Sequence, residues 1–365
     1  MRRLLCVLAA LLVFAFNCAP ASAEEPVGSM ELSYAEHFSV DCYDGGAAHL
    51  QVRDQNFLLL PEGASIPEGL EKLQRISIPV QRFYLASSSV PYLFLQMDAL
   101  DSLRFTSTDA PSWRIPELRE AVEDERLAYI GKYSAPDYEA LLTEGCELAV
   151  ENTMILHNPA AKEKLEALGI PVLIEYSSYE PHPLGRVEWI RLYGLLCGKQ
   201  AEADAFFDRQ VETFQSVEGL EPLDKTVAFF HITANGGVVV RRANDYITRM
   251  IELAGAAPAI TDLPPSENAL STVTIQMESF YRQARDADVL IYNSTVAGDV
   301  ETLDELLALS PLLGDFKAVR EGNVWCTEQS MFQKSSAAAG MIADFRAIFT
   351  GTAEDGELSF LHKIS

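Results

Sequence analysis

The sequence predicts an α/β protein of two lobes with mainly parallel sheets, joined by a long helical connection. Three observations predict it. Residues 76–174 alternate short apolar runs with segments of helical spacing, the rhythm of strands covered by helices on both faces. Residues 226–349 repeat that rhythm. Between them, 184–214 reads as helix, broken only near Gly198.

The first 23 residues read as a leader. Arg2 and Arg3 precede an apolar run over 4–16, and Ala21-Ser22-Ala23 offers small residues for cleavage, the pattern of a secretory signal peptide. The run is too short to span a bilayer comfortably. The expected product is an exported, soluble chain that begins after Ala23. Cys18 gives an alternative, a lipid anchor, but bulky Phe16 and polar Asn17 stand where such signals carry small residues. No later segment has the length and apolarity of a membrane span.

The full chain carries 28 basic and 53 acidic residues, a formal net charge of −25. Nucleic-acid phosphates would be repelled by such a surface, so nucleic acid is excluded as a partner. Beyond the leader lie Cys42, Cys146, Cys197 and Cys326, far apart and without a CxxC pair, which argues against zinc or iron–sulfur chemistry. Export permits disulfides, and the sequence does not choose a pairing. The histidines are scattered without HxH or HxxxH spacing. His182, near Glu180, is read as a turn residue. The expectation is no metal site and no cofactor.

In order, 24–60 reads as a lead-in and hairpin with a turn at Asp44-Gly45-Gly46. Residues 76–80 and 82–85 are β-prone and open the first β-α-β rhythm. Ser87, Ser88 and Ser89 follow, and the spacing of Leu93, Leu95, Met97, Leu100 and Leu103 predicts a helix over 91–102. The serines suit an N-cap. They also stand at the carboxyl end of a strand, where open α/β sheets bind ligands. Helices are then expected over 117–126, 137–144 and 159–168, with strands at 128–130, 147–150 and 170–174. The second unit places strands at 226–232, 238–241, 289–292 and 324–326. Its helices fall at 246–254, 277–285, 302–309 and 335–349, and Pro264-Pro265 marks a loop.

Four stretches carry a family resemblance. They are Asp137–Leu142 with Cys146–Val150, Leu165–Val172 (LEALGIPV), Leu195–Ala203 (LLCGKQAEA), and 278–291 ending in Ala287-Asp288-Val289-Leu290-Ile291. In that order the chain resembles the periplasmic substrate-binding proteins of ABC importers for iron-siderophores, haem and cobalamin. The resemblance implies class III architecture, two Rossmann-like lobes joined by a long interlobe helix. It implies a leader over 1–23, a first lobe over 24–183, a helical linker over 184–217 and a second lobe over 218–365. The implied function is capture of a metal chelate in the interlobe cleft, without catalysis, and delivery to a membrane permease by a monomer. It also implies one surface glutamate per lobe that docks on the permease, at Glu139 and Glu278. The first lobe departs from the family in its opening hairpin and the segment 61–81.

Loops after strands supply the expected ligand contacts: Ser87, Ser88, Ser89, Lys132, Tyr133, Asn152, Tyr176, Tyr179, Arg241, Tyr246 and Trp325, with Thr153, Ser178, His231, Asn293, Ser294 and Gln329 beside them. Tyr, Trp and Arg offer ring faces and a planar charged fork to flat or chelated ligands. A cleft arginine favours an anionic one. Two rival readings stand beside this one. One is an exported chelatase-like enzyme, which would need His231 or His182 with a carboxylate. The other is a binding protein that feeds a membrane sensor. No GxGxxG, Walker loop or nucleophile elbow supports nucleotide or hydrolase chemistry.

Overall fold

The computed structural model describes residues 24–243, 245–263, 272–354 and 356–365. The leader with Cys18 and the Pro264-Pro265 loop lie outside the described residues. Among the described residues three sheets organise the fold.

The first parallel sheet runs in the order Val172–Glu175, Leu148–Asn152, Phe83–Leu85, Leu103–Thr106, Ala128–Tyr129. Every neighbouring pair is parallel. Phe83–Leu85 and Val172–Glu175 are buried throughout, as strands covered on both faces must be. The second sheet runs Thr272–Ile275, Val238–Arg241, Thr226–Ile232, Val289–Tyr292, Val324–Thr327, Leu361–Lys363, with Ala257–Pro258 also paired to Thr226–Ile232. Its centre is parallel and its outer strands are antiparallel.

The amino-terminal region differs from expectation. The hairpin is part of a separate five-stranded sheet that includes Gln74–Ile78. That strand pairs in parallel with Gln55–Pro61 rather than opening the first lobe's sheet. Its pattern explains why: Gln74, Arg75 and Ser77 are exposed and only Ile76 is buried, so it suits an edge and not a doubly covered position. A second correction concerns 91–103. The helix stops at Gln96, a turn passes through Asp98 with φ 52°, and Leu103–Thr106 is a strand of the parallel sheet. Leu103 and Phe105 are buried by alternation, which the helical count over 91–102 absorbed.

The connection is core, not a surface strap. The helix Pro183–Cys197 is buried on nearly every side, its charged Arg186 and Glu188 included. Gly198 ends it at φ 71°, a left-handed cap that favours glycine. The chain then turns into Gln200–Gln215. Gly194 lets the two helices close, since a Cβ there would sit 2.5 Å from the Ala203 Cβ.

Two carboxylates pin the amino-terminal segment to this connection. Glu188, fully buried, accepts the backbone N–H groups of Ser33, Tyr34 and Ala35 at 2.7–2.8 Å. Glu180 accepts those of Glu36 and His37 and the indole N–H of Trp189. The opening segment is thereby built into the interlobe core. Gln55 adds a clasp, exchanging both of its amide bonds with the backbone of Ile174 at 2.8 and 3.0 Å.

Candidate functional site

Strand ends of the first lobe and a loop of the second meet around a cavity of about 350 Å³. Ser88, Ser107, Thr108, Asp109 and Lys132 line it from the first lobe, and Gln333 lines it from the second. Gln333 also ties the lobes together. Its amide donates to the Ser112 carbonyl at 2.9 Å and accepts from the Arg114 N–H at 2.8 Å.

Phe332, which precedes Gln333 in the chain, belongs to a cluster of arginines and aromatic rings. Arg186, in the first turns of the interlobe helix, sets its guanidinium 4.2 Å from the ring centroid of Tyr246. Arg241, at the end of its strand, lies over Phe332 at 5.0 Å and over Phe229 at 5.7 Å. Its Nη1 pairs with Asp245 at 3.4 Å. Asp245 is committed elsewhere as well, since it caps the helix Tyr246–Leu253 by accepting from the Ile247 N–H. Arg186 is 8% exposed, and its Nε and Nη1 have no hydrogen-bond partner among the described residues. A buried guanidinium with open donors is costly to fold and suited to an arriving anion.

Burial also shifts the titratable groups around the cluster. Burial, followed by the neighbouring Arg241, lowers the pKa of His231 and favours its neutral imidazole. Burial raises the pKa of Glu175, against the pull of its Ser177 contacts and of Arg186. Glu175 accepts the Ser177 N–H at 2.8 Å.

A second buried acid stands near the cavity. Glu151 is fully buried, and burial pushes its carboxyl up to about 8, with the Tyr84 hydroxyl acting in the other direction. The Tyr84 hydroxyl in turn lies 2.7 Å from Ser107 Oγ, which faces the cavity.

The expected contacts divide into groups. Ser88 and Lys132 line the cavity; Arg241 and Tyr246 belong to the arginine cluster beside buried His231. Ser87 and Ser89 bond each other at 3.1 Å. None of the three serines caps the following helix, because Val90 holds that position. Tyr133 packs into the core beside the cavity loop. Asn152 caps the short turn after its strand through Met154 N–H. Tyr176 and Tyr179 form an edge-to-face pair with Arg53 of the amino-terminal sheet over both rings, at 4.5 and 5.5 Å. Tyr179 remains half exposed and meets Thr153 Oγ1 at 3.2 Å. Asn293 and Ser294 are buried at a strand end, and Ser294 bonds Thr327.

Trp325 is set apart from both. It lines a different groove with Lys225, Gly322 and Asn323, at the amino ends of the second sheet's strands, and its indole donates to Asn323 at 2.9 Å. Packing on the face of its own sheet, within a strand paired on both sides, accounts for that indole rather than a cleft loop. Glu139 and Glu278 are exposed in the first turns of Tyr138–Thr143 and Met277–Ala284.

Sequence reasoning missed Arg186, Phe332 and Gln333. Arg186 sits inside a helix that periodicity assigns to core. Phe332 and Gln333 lie in a turn-rich stretch with no periodic signal. The usable clue for Arg186 was a charged residue amid a run of apolar ones on a buried helix.

A model of the periplasmic binding protein family matches residues 105–330. An uncharacterized lipoprotein of Methanocaldococcus jannaschii is 24% identical, over 94% of this chain and 89% of the relative. Among solved structures, the periplasmic heme binding protein HutB of Vibrio cholerae is similar with a TM-score of 0.56 at 18% identity, covering 72% of this chain and 98% of that one. A periplasmic heme binding protein from Pseudomonas aeruginosa reaches 0.58 at 17% identity, over 78% and 98% of the two chains. An ABC-type Fe3+-hydroxamate transport structure from Saccharomonospora viridis reaches 0.55 at 18% identity, over 74% and 93%. At these identities the likeness is one of fold.

Proposed function

The chain belongs to the periplasmic binding protein family, with the class III fold of its structural neighbours, and on that premise we propose that it captures an anionic metal chelate between its lobes and hands it to an ABC permease. One observation carries the choice of ligand. The buried Arg186 guanidinium keeps open donors beside Tyr246, with Arg241 close to the same ring. A carboxylate-bearing chelate would satisfy the donors and lay its flat or aromatic body on the rings. Two structural neighbours are named heme binding proteins and a third belongs to an Fe3+-hydroxamate system, which supports the chelate class.

The protein's part is binding, not chemistry. His231 is buried, its pKa is lowered by burial and by Arg241, and no carboxylate is among the causes. That arrangement favours recognition over the chelatase-like alternative. Glu139 and Glu278 are the proposed permease contacts, exposed on separate lobes, where charge adds steering more than affinity.

Export is part of the same reading. Two relatives from Methanocaldococcus jannaschii are named lipoproteins, which supports retention at the membrane through Cys18 over release after Ala23. The mass of the mature protein distinguishes the two. Binding itself is tested by melting the purified protein with haemin, ferric siderophores of differing charge, and cobalamin. A ligand at 100 times its dissociation constant adds about 2.7 kcal/mol of stability. Stabilisation by anionic chelates alone supports the reading. Stabilisation by neutral ones alone removes the anion assignment.

A further inference from the structure

Asp299, Cys326 and His362 each bring one ligand atom to a common point, all within 4.8 Å of one another. We propose that they form a site for a borderline divalent cation of the Zn2+ type, separate from the ligand cleft. The backbone sets two of the three. Cys326 and His362 are register partners across the antiparallel pair Val324–Thr327 and Leu361–Lys363, so their side chains leave the same face of the sheet. Asp299 follows Gly298, whose φ of 93° turns the chain down onto that face.

Both spacings to Asp299 fit one ion. Cys326 Sγ lies 3.5 Å from Asp299 Oδ1, and His362 Nε2 lies 3.6 Å from the same oxygen. Bonds of ~2.0–2.3 Å to a tetrahedral zinc ion leave ligand atoms about 3.3–3.8 Å apart. The imidazole is already oriented. Its Nδ1 lies 3.0 Å from Glu328 Oε1, which aims Nε2 at the other two ligands. A carboxylate behind a ligating histidine has this role in metal sites. Without an ion, the Cys326 thiol donates to Asp299, and His362 Nε2 lies 3.3 Å from the Val300 carbonyl. Metal binding would replace both contacts and release the thiol proton to solvent.

A sulfur, a nitrogen and an oxygen select a borderline ion over Mg2+ or Ca2+, which take oxygen ligands. The side chains of Asp299 and His362 are 34% and 29% exposed, leaving the fourth position to water. The site lies on the sheet face opposite Arg241. Cys326 pairs with Tyr292 and packs in the Phe230–Tyr292 core, while Arg241 lies over Phe229 on the other face. A bound ion would staple the closing strand Leu361–Lys363 to the loop at Asp299.

The test uses the full mature chain with Co2+ alone, then Zn2+. The expected result is one Co2+ per chain, with tetrahedral visible bands and a thiolate charge-transfer band, both removed by equimolar Zn2+. Cys326→Ser should lose the charge-transfer band. Glu328→Ala should keep the band and bind roughly 10–100-fold more weakly. Asp299→Ala changes an exposed loop residue and guards against misfolding of the buried cysteine variant; it should weaken binding at least tenfold. Absence of stoichiometric Co2+ binding, a charge-transfer band that survives in Cys326→Ser, or unchanged affinity in Asp299→Ala each overturns the proposal.

Discussion

The Arg186 guanidinium lies 4.2 Å from the ring centroid of Tyr246, and this pair joins the interlobe helix to the second lobe. The two residues belong to segments separated by the entire second interlobe helix and the first strands of the second sheet. Their contact therefore depends on how the lobes are set, and a ligand bound there reports that setting. Replacing Arg186 by Met keeps the apolar stem and removes the charge. Loss of charge-assisted bonds worth about 1.5–3 kcal/mol should weaken anionic chelates roughly 10–150-fold. The folded protein should be no less stable, because a buried charge with open donors is gone. Titration calorimetry and thermal melting measure the two effects.

Glu188 is a structural counterpart on the same helix. It is fully buried and accepts three backbone N–H groups. Glu188→Ala strands those donors and leaves Arg191, 3.6 Å away, without that partner. Breaking a buried charged network costs roughly 3–5 kcal/mol. Urea unfolding should show the loss in midpoint. An unchanged midpoint would mean that the 33–35 segment is not held by this carboxylate.

Glu151 predicts a pH dependence. Its folded carboxyl is pushed up to about 8, above the ordinary glutamate value of 4.5. The folded state then holds a proton that the unfolded state has released, so stability falls as pH rises from 4.5 to 8, by at most ~1.4 kcal/mol per pH unit. Asp344, raised to about 6, titrates lower. Half-buried His182 and buried His231, both lowered from 6.5, act below that value. Glu175, also raised by burial, adds a slope of the same sign, so between pH 6.5 and 8 the slope should be reduced in Glu151→Gln. Unfolding midpoints across that window check it. A slope unchanged by the substitution contradicts the assignment.

Glu139→Lys and Glu278→Lys separate docking from binding. Both residues are exposed in first helical turns and line neither the cavity nor the arginine cluster. Chelate affinity of the purified protein should not change. Uptake through the permease should fall, most in the double variant, because reversed charge opposes steering. Normal uptake in the double variant would move the docking surface elsewhere.

The sequence was most legible where burial was two-sided. Strands Thr226–Ile232, Val238–Arg241 and Val289–Tyr292 fall where the apolar runs predict them. Leu103–Thr106 does not, because Leu103 also fits the helical spacing of the residues before it. Gln74–Ile78 joins a different sheet from the one expected, since local pattern does not name a strand's partner. In the site, Arg241 and Tyr246 were legible as polar and aromatic residues near strand and helix ends. Arg186 was not, because a helix buried on every side gives no periodic sign of which residue meets a cleft. Asp299, Cys326 and His362 have no motif spacing, and only the sheet register and a loop bring them together.

The most direct measurement compares haemin binding by the native protein and by Arg186→Met, followed by calorimetry and by melting temperature, with the dimethyl ester of the same tetrapyrrole as a charge-free control. The native protein should bind the dicarboxylate tightly, with affinity lowered at least tenfold both by the ester and by the substitution. Equal binding of acid and ester, or of native protein and variant, would contradict the claim that the buried arginine selects an anionic chelate.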